Sequence, residues 1–86
     1  MRTHKAQRAA KARAEEDAAA FNEAHPIGTP VLFWPMARRG EGRPSKTRTP
    51  AWAMGGMYAA VSVDDYPGGI LLTHVEVVAA KAEEGR

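Results

Sequence analysis

The residues of this chain best suited to chemistry are its cations, which fall into two groups. Residues 1–13 hold five cations and no acid, and residues 36–48 hold five cations and one acid, whereas the remainder is acidic. Ammonium and guanidinium groups are the side chains that bind phosphates. The two segments therefore predict a nucleic-acid site that consists of Arg2, Lys5, Arg8, Lys11, Arg13, Arg38, Arg39, Arg43, Lys46 and Arg48.

Two tryptophans lie on either side of the second basic segment. The rings of Trp34 and Trp52 could stack on bases. In so short a chain, the same rings could instead be needed in the core, and loop arginines are often simply solvated. Three interpretations of this segment therefore stay open: contact with nucleic acid, contact with a protein partner, or no contact.

Catalytic groups are sparse in this sequence. His74 lies beside Thr73 and Glu76, but a lone histidine on a strand is usually a packed residue. Asp64 and Asp65 fall in a turn, where aspartate is favoured for local hydrogen bonding. Thiolate metal ligands are excluded because the chain has no cysteine. We expect a protein that is not an enzyme and that uses no cofactor or metal.

Length and composition limit the architecture to one small domain. A chain of 86 residues buries only about 60% of the surface that its unfolded form exposes, so its stability margin should be thin. No apolar run approaches the roughly 20 residues that span a membrane, and the N-terminus lacks the apolar segment of a signal peptide. The lack of cysteine fits a reducing compartment. We expect a cytoplasmic protein.

Residues 1–25 predict a basic, alanine-rich helical extension. Residues 4–24 are rich in strong helix formers and contain neither glycine nor proline. Pro26 disfavours helical backbone at the preceding residue, which ends the helix near Ala24. The apolar stripe is weak because most of its members are small: Ala6, Ala10, Ala14, Ala18 and Phe21. Self-association through this helix is possible but should be weak, whereas docking on a protein partner stays open.

Residues 26–80 predict a compact β module. Gly28–Pro35 (GTPVLFWP) is an apolar run bounded by glycine and proline, which favours a buried strand. Met57–Val63 has apolar residues at period two and leads into a turn-rich cluster, after which Ile70–Thr73 resumes as a strand. These strands should form the core.

The segments that connect these strands are less regular. Ala37–Lys46 has no aliphatic residue larger than alanine and predicts a long exposed loop. Thr49–Gly55 matches one helical turn, with Thr49 as the N-cap and Pro50 at the first helical position. The alternative for that segment is a strand that turns at the following glycine pair. Residues 81–86 predict a disordered tail.

The segment GGILLTHVEVV, residues 68–78, resembles the closing part of an SH3-like barrel. There, a strand that opens with glycine runs into a short 3₁₀ turn, and a valine after the turn begins the last strand. Gly69, Ile70, Leu72 and Val75 hold the corresponding places. The resemblance implies a mainly β fold with an N-terminal α-helix: a small SH3-like β-barrel preceded by a helical extension. The acidic and tyrosine cluster of a proline-rich-peptide groove is missing.

Residues 28–78 are also similar to small actinobacterial and actinophage proteins. The similarity consists of a GTPV strand, a basic loop that leads to a TRT motif, and LTHVE near the end. That group has no assigned activity, so the similarity implies none. We predict a non-catalytic binding module, phage-encoded, that contacts nucleic acid through the basic loop and the basic arm. The alternative is a protein-interaction module, host-factor-binding or oligomerising, that uses the N-terminal helix.

Overall fold

The computed structural model describes residues 2–78, and for residues 2–7 it describes the backbone only. One helix is followed by six short strands and a single 3₁₀ turn, so the predicted mainly β fold with an N-terminal helix is confirmed. The elements are α1 (Arg2–Ala24), β1 (Pro30–Phe33), β2 (Arg43–Lys46), β3 (Trp52–Met54), β4 (Tyr58–Val63), β5 (Tyr66–Leu71), a 3₁₀ helix (Leu72–His74) and β6 (Val75–Val77). The predicted tail, residues 81–86, lies outside the described residues.

The strands form two antiparallel sheets of three strands each. Their orders are β2-β1-β6 and β3-β4-β5. The 3₁₀ helix joins β5 to β6, so one interrupted strand passes from the second sheet into the first. A single bridge between Thr47 and Val63 adds a second link. Within residues 2–78 no ladder joins β2 to β3, and the sheets do not close into a barrel.

The core lies between the two sheets. Val31 and Phe33 of β1 point into it, as the apolar run predicts, and each is 1% exposed. Val61 and Val63 of β4 are fully buried against them. Ile70 joins the cluster from β5. Alternation along short strands is thus enough to place the largest buried side chains on one face.

The C-terminal half of α1 packs on the second sheet. Ala14 and Ala18 are buried, and Phe21 packs against the core. The Asn22 side chain accepts a hydrogen bond from the Ala51 N–H at 2.7 Å and donates one to the Ala51 carbonyl at 3.0 Å. The predicted stripe therefore faces the chain's own sheet, although the side chain of Ala6 lies outside the described residues. The boundary near residue 25 stays a prediction, and Ala18 and Phe21 belong to the core.

The helical-turn interpretation of Thr49–Gly55 is wrong, and the alternative strand is confirmed. Trp52–Met54 is β3, which pairs with β4. The chain reverses at Gly55 and Gly56, whose φ angles are +62° and +71°, and the Met57 N–H donates to the Met54 carbonyl at 3.2 Å. Positive φ at both central residues is typical of the type I′ hairpin turn, which matches the twist of antiparallel strands.

Two other boundaries also differ from the sequence predictions. The second half of the predicted loop Ala37–Lys46 is β2, an edge strand paired with β1, where Pro44 is tolerated because it need not donate to a ladder. The predicted strand Ile70–Thr73 already ends at Leu71, and Leu72 begins the 3₁₀ helix. Val75 then opens β6, as the resemblance implied.

Candidate nucleic-acid interface

A cleft of about 360 Å³ lies between the β1–β2 loop, residues 34–42, and the first residue of β5. Among its lining residues, Phe33 is buried and Tyr66 is half-buried, so Tyr66 offers the larger aromatic surface. Arg39 and Arg43 line it on the loop side. The cleft therefore combines aromatic surface with two guanidinium groups.

Arg39 and Arg43 reach the cleft for different reasons. Arg43 is the first residue of β2 and pairs with Phe33 of β1, which places its guanidinium carbon 5.9 Å from the centre of the Phe33 ring. Arg39 lies in a tight turn of the loop, where its N–H donates to the Ala37 carbonyl at 2.9 Å. Both side chains are exposed, and among the described side chains, residues 8–78, neither forms a salt bridge or a side-chain hydrogen bond. Each cation is available to an external anion.

The Arg38 side chain is hydrogen-bonded within the protein. Its guanidinium donates to the Thr73 carbonyl at 2.9 Å and to a Glu76 carboxylate oxygen at 3.0 Å. The same group lies over the Trp34 ring, 4.3 Å from the ring centre. These contacts tie the β1–β2 loop to the 3₁₀ helix and to β6. Arg38 therefore has a structural role in the described fold.

Trp34 is buried, and the β1–β2 loop packs around it. It is only 7% exposed, and its Nε1–H donates to the Gly40 carbonyl at 3.1 Å. A Cβ on Gly42 would lie 2.8 Å from Trp34 Cζ2, so the loop backbone packs directly against the ring. A buried ring with this satisfied donor orders the loop. The structure leaves little of Trp34 for stacking.

Two further cations of the second basic segment also have internal partners. Arg48 donates from Nε to the Val63 carbonyl at 2.7 Å and from Nη2 to the Tyr66 carbonyl at 3.3 Å, which holds the β4–β5 turn. Lys46 Nζ lies 3.8 Å from an Asp64 carboxylate oxygen. Of the five cations predicted here, only Arg39 and Arg43 therefore line the cleft without such a partner.

The cations of α1 lie elsewhere. Arg8, Lys11 and Arg13 are exposed, and Arg13 lines a separate apolar groove between α1 and the second sheet, beside Met57 and Tyr58. The side chains of Arg2 and Lys5 lie outside the described residues. The groove and the cleft share no lining residue. The described side chains do not bring the two basic segments into one site.

Trp52 is the second predicted stacking residue. It lies on β3, is 38% exposed, and covers Gly69 of β5, where an added Cβ would lie 3.0 Å from Trp52 Cη2. It lines neither the cleft nor the groove. Its exposed surface therefore belongs to the outside of the second sheet.

Tyr66 is the cleft residue that sequence reasoning missed, because it falls within the turn-rich cluster after β4. The structure pairs Tyr66 with Val63, so only Asp64 and Asp65 form the turn. An aromatic directly after a two-residue turn is typical of the first position of the returning strand. That spacing could have identified it.

The groups considered for catalysis are dispersed. In the described part of the chain, no three His, Cys, Asp or Glu side chains come together as metal ligands would. The His74 carbonyl accepts the Trp34 N–H at 2.9 Å, and Asp65 accepts a hydrogen bond from the Ser45 hydroxyl at 3.2 Å. These contacts fasten strands and turns to one another.

Among the described residues, no helix has the length and apolar character needed to cross a membrane. Comparison of the chain with protein-family models, curated proteins and solved structures gave no match.

Proposed function

We propose that this protein is a non-catalytic, cytoplasmic binding module that contacts nucleic acid through Arg39 and Arg43. The observation that supports the proposal is the pair of exposed guanidinium groups, neither of which has a salt bridge or a side-chain hydrogen bond among residues 8–78, at a cleft that Tyr66 also lines. Phosphates are the ligands that such groups bind best, and aromatic rings add contact with bases. Arg8, Lys11 and Arg13 add long-range attraction from α1.

The architecture proposed for this module is a partly open SH3-like barrel. In its support, β1 pairs with the last strand, and that strand is interrupted by a 3₁₀ helix before Val75. The second sheet is a meander from β3 to β5. An origin among small actinobacterial and phage proteins stays a prediction from the resemblance alone.

The proposal is tested by removing and then restoring the two cleft charges. The double variant Arg39→Ala/Arg43→Ala should weaken oligonucleotide binding and lower the slope of log affinity against log salt by about 1.5, because two phosphate contacts are lost. The matched variant Arg39→Lys/Arg43→Lys keeps both charges and should retain most of the slope. Fluorescence anisotropy over a salt series measures both.

Arg38 must stay unchanged in that experiment. Its replacement would remove hydrogen bonds to Thr73 and Glu76 and would uncover Trp34, so a loss of binding would not be specific. If the alanine pair binds with the wild-type affinity and slope while its melting temperature is unchanged, the cleft is not the phosphate site.

A protein partner is the second candidate function, and one observation favours it. The groove between α1 and the second sheet has a volume of about 250 Å³, and Met57 and Tyr58 at its edge are 40% and 57% exposed. Exposed apolar side chains beside a groove are typical of interaction surfaces. Sedimentation of the purified chain at increasing concentration would detect self-association, and the substitution Tyr58→Ser should reduce it.

A further inference from the structure

We infer that the cleft binds a single strand, with one unstacked base against Tyr66 and the neighbouring phosphates on Arg39 and Arg43. This inference rests on the proposed function and specifies its ligand. It adds a residue, Tyr66, that lies outside both basic segments.

The shape of the cleft favours a single strand over a duplex. Its volume of about 360 Å³ lies at the lower end of the range for small-molecule pockets, roughly 300–1,000 Å³. A pocket of that size suits one base with its sugar. In a duplex the bases are paired and stacked, so only phosphates could reach the two arginines, and the Tyr66 ring would stay without a base.

The Tyr66 ring packs against Phe33 of the core. Its ring centre lies 6.0 Å from that of Phe33 at an interplanar angle of 52°, and its carbonyl accepts a hydrogen bond from Arg48. The residue is half-buried, so part of the ring still lines the cleft. A half-buried ring that packs on the core loses less conformational freedom than a fully exposed one when a base stacks on it.

The charges around the cleft fit a phosphate backbone. Arg39 and Arg43 line it, and one acid, Glu41, lines it with them. The acids of the neighbouring turn, Asp64 and Asp65, do not line the cleft. Glu41 is therefore the acid that a bound phosphate would meet. The substitution Glu41→Gln should tighten binding by about twofold to fivefold at low salt, a gain that damage to the fold cannot produce.

The experiment uses the full chain and three ligands: a labelled single-stranded DNA octamer, a hairpin duplex of the same sequence, and inorganic polyphosphate as a competitor without bases. We expect the single strand to bind at least tenfold more tightly than the duplex. The substitution Tyr66→Leu should weaken single-strand binding by about fivefold to a hundredfold, since one stacking contact is lost. The variant Tyr66→Phe keeps the ring and should retain the affinity.

A fluorescence measurement tests the same contact if the Tyr66→Leu variant does not fold. In the variant Trp52→Phe, Trp34 is the only tryptophan, and it lines the cleft. A base bound in the cleft should change the fluorescence emission of Trp34, whereas polyphosphate should not.

The outcomes separate the inference from the function on which it rests. Equal binding of single strand and duplex, both dependent on Arg39 and Arg43, would overturn the inference and leave nucleic-acid binding in place. Polyphosphate that competes as well as the octamer, or that alters Trp34 emission equally, would also overturn it. No binding of any of the three would remove the proposed function itself.

Discussion

The substitution Val61→Asp is expected to leave the chain without a cooperative unfolding transition. Val61 is fully buried on β4, among Val31, Phe33 and Ile70. A carboxylate there has no cation to pair with, and burying an unpaired charge costs several kcal/mol. That cost is comparable with the whole stability of a small domain, about 5 kcal/mol. Circular dichroism during heating, together with amide chemical-shift dispersion, measures the result.

Ile27→Asp provides the matched control for this substitution. Ile27 is also aliphatic but is 59% exposed, so the same change should shift the melting temperature little. A Val61→Asp chain that melts near the wild-type temperature would show that the β4 face assigned to the core is wrong.

Removal of α1 is expected to lower the free energy of unfolding strongly without preventing folding. A chain that begins at Pro26 should keep the two sheets, because nearly all the large core side chains lie beyond that residue. It should nevertheless lose about 3–4 kcal/mol of unfolding free energy, since the packing of Ala18 and Phe21 and the two bonds from Asn22 to Ala51 are removed. Urea titration of both chains gives the difference.

The outcome also decides the domain boundary predicted near residue 25. Equal stability of the two chains would make α1 an independent extension. A shortened chain with no cooperative transition would make α1 an essential part of the core. The double control Glu16→Ala/Glu23→Ala, at exposed positions of the same helix, should change stability by less than about 1 kcal/mol.

Sequence patterns predicted the strands that form the core but not the edge strand β2. In β1, buried and less buried residues alternate because one face of the strand points into the core. In β4, apolar residues recur at every second position, although the last four residues of the strand are all buried. The sequence of β2, RPSK, has no such pattern, and three of its four residues are exposed. Pairing with β1 creates this strand. Tertiary context of that kind overrides local propensity and cannot be read from the segment alone.

The error at Thr49 has a similar origin. Thr49, Pro50 and Gly55 satisfy the rules for a short helix, yet the Thr49 hydroxyl accepts the N–H of Ser62 on β4 at 3.1 Å. An oxygen that would cap a helix is used across the sheet instead. Only the fold supplies that partner, which is 13 positions away in the chain.

The candidate site was predicted in part. The sequence identifies every cation but not the carbonyl oxygens that occupy Arg38 and Arg48, because those acceptors lie 35 and 15 positions away. The sequence also does not show that Trp34 is buried against its own loop, because the Gly40 carbonyl and Gly42 pack on it only in the fold. Of the second basic segment, the candidate site keeps Arg39 and Arg43, and Tyr66 lines the same cleft.

Nucleic-acid binding is tested most directly by the affinity of the wild-type chain for short oligonucleotides between about 20 and 200 mM salt. Phosphate contacts release counterions, so log affinity should fall linearly with log salt, with a slope that reflects at least the two cleft contacts. Anisotropy of labelled single strands and duplexes provides the values. Binding that weakens in this way is the predicted result. If no single strand or duplex of DNA or RNA binds at the lowest salt concentration, nucleic acid is not the ligand, and a protein partner takes its place.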